Sequence, residues 1–343
     1  MSTITGGAYG SFVLTAQQNA DILQAFGWNN TLNGASLDVT INAGQGQAQV
    51  DLGGGSSVVN LNGWFNKVQG GGGDSSVFGA QGNSTVRLGS GNDTVSIGGW
   101  NNQIALGNGS EVVIAGSGNA TVSAGNGDDL IMLDGWNNTV ALGSGANTIF
   151  GSQGNSTVTA GNGNNLVHLD GFGNLIRLGN GDNTVVAGMG NDSVTVGGGN
   201  NLVVLSGWGN SVVARGGTDM VFVGQGTDTI SISGTSLAVL GGQRPTILAD
   251  GTGNDRITDS TQGLLVRITA SSPDINLANL ATDQSWSMDL VGGVGGFSNA
   301  AQVMAALTSS GVDTVLSLGR SGSTVTFMHL RPDAITSDHI KFG

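Results

Sequence analysis

Apolar residues recur along this chain on a beat of nine. Cut every nine residues from Ala8, the sequence gives thirty frames without insertion or deletion to Leu277, among them Gly89–Ile97 (GSGNDTVSI), Gly125–Leu133 (GNGDDLIML) and Gly161–Leu169 (GNGNNLVHL). Position 7 of the frame is Val, Ile or Leu almost throughout, as at Val86, Val95, Ile104, Val113, Val122, Ile131, Val140 and Ile149. Position 9 is Leu, Ile, Val, Ala or Gly. A period of two marks a strand, so positions 7 and 9 face inward and positions 6 and 8 outward. Positions 1 to 5 are Gly, Asn, Ser and Asp, which reach positive φ or bond their own backbone in turns. Each frame is a turn followed by a strand of three or four residues. Such a strand cannot fold alone, and stacking buries a continuous core. The pattern predicts an all-β solenoid over residues 1–277.

Beyond Leu277 the period fails. Ser298 to Leu307 predicts a short helix with Ser298 as its N-cap. Residues 278–343 are expected to form a small α+β cap on the end of the stack.

Composition narrows the function. Of 343 residues 63 are Gly, 3 are Pro and none is Cys, which excludes collagen, disulfides, thiolate metal sites and cysteine nucleophiles. Asp+Glu outnumber Lys+Arg by 23 to 10, giving a net charge of −13. With no basic stripe, nucleic acid is not an expected partner. An acidic surface suits divalent cations, or simply solubility. No apolar run is long enough to span a membrane, and Met1 to Gly10 lacks the basic-then-apolar order of a cleavable signal. His168, His329 and His339 are far apart, and no Gly-x-Ser-x-Gly is followed by plausible triad partners, so the chain does not read as an enzyme.

The stretch Leu88-Gly89-Ser90-Gly91-Asn92-Asp93-Thr94-Val95-Ser96 resembles the repeats-in-toxin (RTX) nonapeptide G-G-x-G-x-D-x-U-x, with Leu88 in place of the first Gly. The resemblance implies a parallel β-roll with two frames, or 18 residues, per coil. Fifteen coils would make a rod roughly 70 Å long. A 36-residue coil with four sides is the alternative. The resemblance also implies Ca²⁺ bound between coils by the motif Asp and turn carbonyls. That Asp is frame position 5, which holds Asp93, Asp129, Asp192, Asp219, Asp228 and Asp255, with Glu111 in the same slot and Asn or Ser in most others. Asp93, Glu111 and Asp129 are 18 apart and would stack on one edge; Asp192 and Asp228 would share the opposite edge, with Asn210 between them. The bland alternative is that these residues only form turns and hydrogen-bond ladders. Segments Asp313 to Leu318, Ser323 to Phe327 and Asp333 to Phe342 resemble the ending of type I-secreted proteins. That implies a bacterial extracellular or cell-surface protein exported through an uncleaved C-terminal signal.

A longer period lies over the first. Trp28, Trp64, Trp100, Trp136, Phe172 and Trp208 follow one another at intervals of 36, always in a turn after Gly. Either each ring covers the neighbouring Gly-rich coil, or the row is a ladder for a partner, another copy or a polysaccharide. The outward positions also differ between the two strand sets. One carries Phe78, Ile114, Leu130, Met132, Phe150, Leu166, Leu202 and Phe222; the other carries mainly Ser, Thr and Ala. An apolar stripe of that size predicts a homo-oligomer or polymer. The expected function is a secreted, self-associating structural protein, an extracellular matrix, surface-layer or filament subunit stabilised by calcium. A polysaccharide-binding module using the Trp row is the competing class, and ice binding by the Ser/Thr face a more distant one.

Overall fold

The computed structural model describes residues 2–7, 11–79, 81–151, 153–224, 226–234, 236–240, 246–249, 254–259, 263–270, 272, 274–280, 285–319 and 322–343. Ala8, where the first frame starts, lies outside them. Two compact units, Met1–Asp170 and Gly171–Gly343, are built alike. Among the described residues the strands make about 14 turns, close to the fifteen coils expected from two frames each.

In the first unit, strands alternate between two parallel sheets. The first sheet includes Ser76–Gly79, Thr94–Ile97, Val112–Ala115, Leu130–Leu133, Thr148–Gly151 and Leu166–Leu169. The second includes Thr85–Arg87, Gln103–Ala105, Thr121–Ala124, Thr139–Leu142 and Thr157–Ala160. Val95 pairs with Val113, Val113 with Ile131, Ile131 with Ile149 and Ile149 with Val167. Each step is 18 residues, so a coil is two frames with two sides, not 36 residues with four. These five position-7 side chains have no exposed surface. Complete burial of a Val or Ile stabilises by about 1.5–3 kcal/mol, and repetition in every coil gives the stack its core. Position 9, as at Ile97, Ala115, Leu133 and Leu169, is buried beside it.

The second unit repeats the pattern: Val185 pairs with Val203 and Val203 with Val221, while Val194 pairs with Val212 and Val212 with Ile230. Here the unbroken nine-residue count expected from the sequence fails. Met220 pairs with Leu237, seventeen residues on, and Leu237 with Arg256, nineteen on; Thr229 with Thr246 and Thr246 with Leu265 repeat the slip. The core residues are therefore Ala238 and Ile247, each one position earlier than the frame count places the inward residue. A one-residue shift inside a strand would turn every side chain to the wrong face, and the deletion and its compensation fall between the strands.

Residues 278–343 extend the two sheets. Asp274–Ala278 pairs in parallel with Thr324–Phe327, and Ser287–Leu290 with Ile340–Phe342. Leu307–Ser310 and Asp313–Ser317 add antiparallel strands beyond Thr324–Phe327, which changes the character of that sheet's end. The helix is Ala300–Ala306, and its N-cap is Asn299 rather than Ser298. Asn299 has extended backbone and its Oδ1 accepts from the Gln302 N–H at 3.0 Å, while Ser298 lies outside and donates from its backbone and hydroxyl to Gln302 Oε1. The Asn299 side chain thereby satisfies one of the free N–H groups of the first turn.

Candidate functional site

Position 5, the last residue of the turn, is buried. Asp93, Asn102, Glu111, Asp129, Asn147 and Asn165 in the first unit, and Asp192, Asn201, Asn210, Asp219, Asp228 and Asp255 in the second, have at most 2% of their surface exposed. Each turn closes under the preceding coil, so the side chain leaving position 5 points into the stack. There it accepts a hydrogen bond from the position-5 N–H one coil earlier. Ser75 N donates to Asp93 Oδ1 (2.8 Å), Asp93 N to Glu111 Oε2 (2.8 Å), Glu111 N to Asp129 Oδ1 (3.1 Å) and Asp129 N to Asn147 Oδ1 (3.2 Å). On the turn surface a second ladder runs the other way: Asn92 N donates to Asp74 Oδ1 and Ser110 N to Asn92 Oδ1.

Asn and Asp part company at the second side-chain atom. Asn165 Nδ2 donates to the carbonyls of Gly161 and Gly163, four and two residues back in its own turn. Asn183 and Asn201 bond the matching pairs, Gly179 with Gly181 and Gly197 with Gly199. On the other edge, Asn102 and Asn138 bond turn carbonyls three and four residues back. A carboxylate cannot donate to those carbonyls. Asp93 Oδ2, Glu111 Oε1, Asp129 Oδ2, Asp192 Oδ2, Asp219 Oδ2, Asp228 Oδ2 and Asp255 Oδ2 are all buried without a hydrogen-bond partner. Glu111 Oε1 lies against Gly109, the glycine two back in its turn.

Burial without a donor penalises the charged form. It pushes Asp93, Asp129 and Asp192 up to about 6, and Glu111 and Asp255 up to about 7, with neighbouring carboxylates adding to the rise for Glu111. Asp219 and Asp228 are raised for the same reason. Asp21, which sequence inspection passed over, shows the contrast. It occupies position 5, but Gln17 N, Gln18 N, Ser2 N and the Ser2 hydroxyl all donate to its two oxygens. The Gln17 N–H first, then the Ser2 hydroxyl, hold its carboxyl far below the usual range. A fully bonded carboxylate of this kind is structural. The other seven need a proton or a cation.

Asp93, Glu111 and Asp129 sit in three consecutive coils of the first unit. In the second, Asp192 and Asp228 are two coils apart with Asn210 between, and Asp219 and Asp255 are two apart on the other column with Ser236 between. Among the described residues, no three or more His, Cys, Asp or Glu side chains converge on a point. A cation here would be held by carboxylate and carbonyl oxygens, the donor set a hard divalent ion prefers.

The family model described as the RTX calcium-binding nonapeptide repeat (4 copies) matches residues 66–99, 142–176 and 170–203. The chain is an RTX-like β-roll repeat protein. Calcium is the cation that RTX nonapeptide repeats bind, and such repeats are associated with secreted bacterial proteins. A second model, for a family of unknown function (DUF3060), matches residues 97–154. No curated protein and no solved structure matches the chain. No helix among the described residues is long and apolar enough to cross a membrane.

The remaining candidate residues of this RTX-like roll lie on its surface. Phe78, Ile114, Leu130, Met132, Phe150 and Leu166 all point outward from the first sheet of the first unit, with Ile114 41% and Phe150 39% exposed; Leu202 and Phe222 do the same in the second. Trp28, Trp64, Trp100 and Trp136 are 47%, 37%, 46% and 36% exposed on one edge of the first unit, and Phe172 and Trp208 occupy the same slot in the second. The rings also pack. A Cβ added at Gly46, Gly82 or Gly118 would meet the ring of Trp28, Trp64 or Trp100. The 36-residue period follows: a Trp in one coil requires Gly in the same slot of the next.

Proposed function

We propose that this RTX-like protein is a secreted, non-enzymatic structural subunit that associates with copies of itself through the outer face of the first sheet and is stiffened by calcium. The observation that carries this reading is the outward apolar column of that sheet, Phe78, Ile114, Leu130, Met132, Phe150 and Leu166, which the second sheet answers with Thr85, Gln103, Thr121, Thr139 and Thr157. These side chains recur along the sheet face, interrupted by Ser96, Thr148 and His168, and lose their unfavourable hydration when a second such face covers them. Matrix, surface-layer and filament subunits all fit such lateral association. For calcium, the reading assigns Asp93, Glu111 and Asp129 as one run of ligands and Asp192, Asp219, Asp228 and Asp255 as single-carboxylate sites. Bound there, the ion supplies positive charge to the unpartnered oxygens. Export by a type I system through residues 278–343 completes the proposal.

Leu130→Asp/Leu166→Asp should convert an oligomer into a monomer in sedimentation velocity, with the core untouched because both side chains point outward. Thr121→Asp/Thr139→Asp on the second sheet should leave the oligomer intact. An unchanged oligomer in the first variant would remove the basis of the proposal.

A further inference from the structure

The Trp edge carries a property that self-association through the opposite chemistry of the first sheet does not use. Trp28, Gly46, Trp64, Gly82 and Trp100 are joined by successive parallel bridges, and Gly118 bridges Trp136 in the same way. The aromatic slots are therefore held in backbone register, one on every second coil, at a spacing of about 9.6 Å. The rings of Trp28, Trp64 and Trp100 are laid over the buried glycine of the next coil, which fixes their position, yet more than a third of each Trp in the row stays open to solvent. Four such rings in a line form a rigid row of aromatic surfaces.

The tips of the row are neutral, with exposed Asp134 just before the Trp136 turn and exposed Lys67 just after the Trp64 turn. The turn tips 27–29, 45–47, 63–65, 81–83, 99–101, 117–119 and 135–137 hold no Asp, Glu, Lys or Arg, although the chain carries −13 overall. Between the rings lie amides: Gln45, Gln47, Gln81, Asn101 and Asn137 are exposed and Asn83 half-buried. The turn acids Asp38, Asp74 and Asp128 belong to the other edge. Aromatic faces accept the C–H surfaces of pyranose rings, and amides supply both donors and acceptors to hydroxyls. With no cation at the turn tips and a lone Lys67 at their border, a phosphate backbone or a uronic acid polymer finds no row of positive charge there.

We propose that this edge of the first unit binds an extended, neutral β-1,4-linked polysaccharide. Two coils match the disaccharide repeat of such a chain, so each Trp stacks on every second sugar, all of which present the same face. An α-1,4-linked glucan coils and cannot stay in step with a straight row. The inference is independent of the self-association above, which uses other residues.

Four of the six Trp residues lie on this edge, Trp208 holds the matching slot of the second unit, and Trp286 is buried. Tryptophan emission of the full-length calcium-loaded protein therefore reports on the edge. Titration with cello- and chito-oligosaccharides of two, four and six sugars should shift the emission saturably, with affinity rising with length, whereas maltohexaose should not. Trp64→Ala/Trp100→Ala should weaken hexaose binding about tenfold, the loss of two stacking contacts. Trp64→Leu/Trp100→Leu keeps an apolar cover over Gly82 and Gly118 and so preserves the melting temperature, and should bind as weakly as the alanine variant. No response to either hexaose, an equal response to maltohexaose, or undiminished affinity in the folded leucine variant would each overturn the proposal. So would a change in sedimentation of the variants with no change in glycan affinity, which would make the edge a contact between copies.

Discussion

At frame position 5 a single atom separates a dry coil from one that needs a guest. Asn165 Nδ2 closes its turn by donating to Gly161 and Gly163; Asp129 presents an oxygen at the equivalent atom and leaves it bare. Asp129→Asn should therefore raise the stability of the calcium-free protein by about 1–3 kcal/mol, the cost of one buried unsatisfied group, and reduce the gain on adding calcium. Asn165→Asp should do the reverse; urea unfolding in chelator and in millimolar calcium reads both. The raised carboxyls also fix a pH dependence. Between the unfolded value near 4 and the folded values of about 6 to 7, the folded state holds more protons than the unfolded one. Stability without metal should thus be greatest near pH 4, fall as pH rises to about 7, and level off. Saturating calcium should restore it at neutral pH. Asp21 runs oppositely, but being fully bonded it weakens the fold only at strongly acid pH. A melting temperature in chelator that rose from pH 4.5 to 7 would contradict the assignment of bare carboxylates.

Within a coil, the turn and the strand obey different rules. The strand tolerates exchange among Val, Ile, Leu and Ala so long as the inward parity is kept, as the slip to Ala238 and Ile247 shows. The turn under the first sheet tolerates almost nothing at position 3. Gly127 has φ +150°, and a Cβ there would run into the Gly109 carbonyl oxygen of the coil before. Gly127→Ala should lower the melting temperature sharply, because neither backbone can retreat without breaking the ladder. Gly54→Ala, where a Cβ meets nothing within 4 Å, should be close to neutral. Differential scanning calorimetry on the two variants separates close approach from mere glycine content. The second edge solves the same turn differently, with Asn at positive φ, as at Asn101 (60°) and Asn137 (59°), following the Trp.

For the whole molecule, unlike edges and faces divide the labour. Bare carboxylates lie in both turn columns, but only the first sheet's column joins three in consecutive coils, Asp93, Glu111 and Asp129. Because coils contact only their neighbours, stability propagates along the stack, and loss of charge compensation at adjacent coils should be felt well beyond them. Asp93→Asn/Glu111→Gln/Asp129→Asn should fold with a calcium-independent amide-exchange profile across residues 75–165, whereas the wild type should gain protection there on adding calcium. Unchanged calcium-linked protection in the triple variant would place the ion elsewhere.

The nine-residue beat, the inward Val and Ile, and the Gly–Asn turns were legible because each is a local rule repeated many times, and repetition makes a weak local preference decisive. Position 5 was legible as a polar slot, and the 36-residue Trp spacing as a pattern. Neither could be explained from the sequence. That position 5 is buried and accepts from the coil before, and that a Trp needs glycine in the next coil, are facts about residues 18 apart; which asparagine, aspartate and Asp21 atoms then find partners inside the turn follows from that burial. Such contacts exist only after coils stack. The one-residue slip near Ala238 and the Asn299 cap belong to the same class, since parity with a neighbouring strand and the path of a turn, not the frame count, decide them. The sequence by itself determined what each coil is; the stacking of one coil on the next decided which of its polar atoms have a partner.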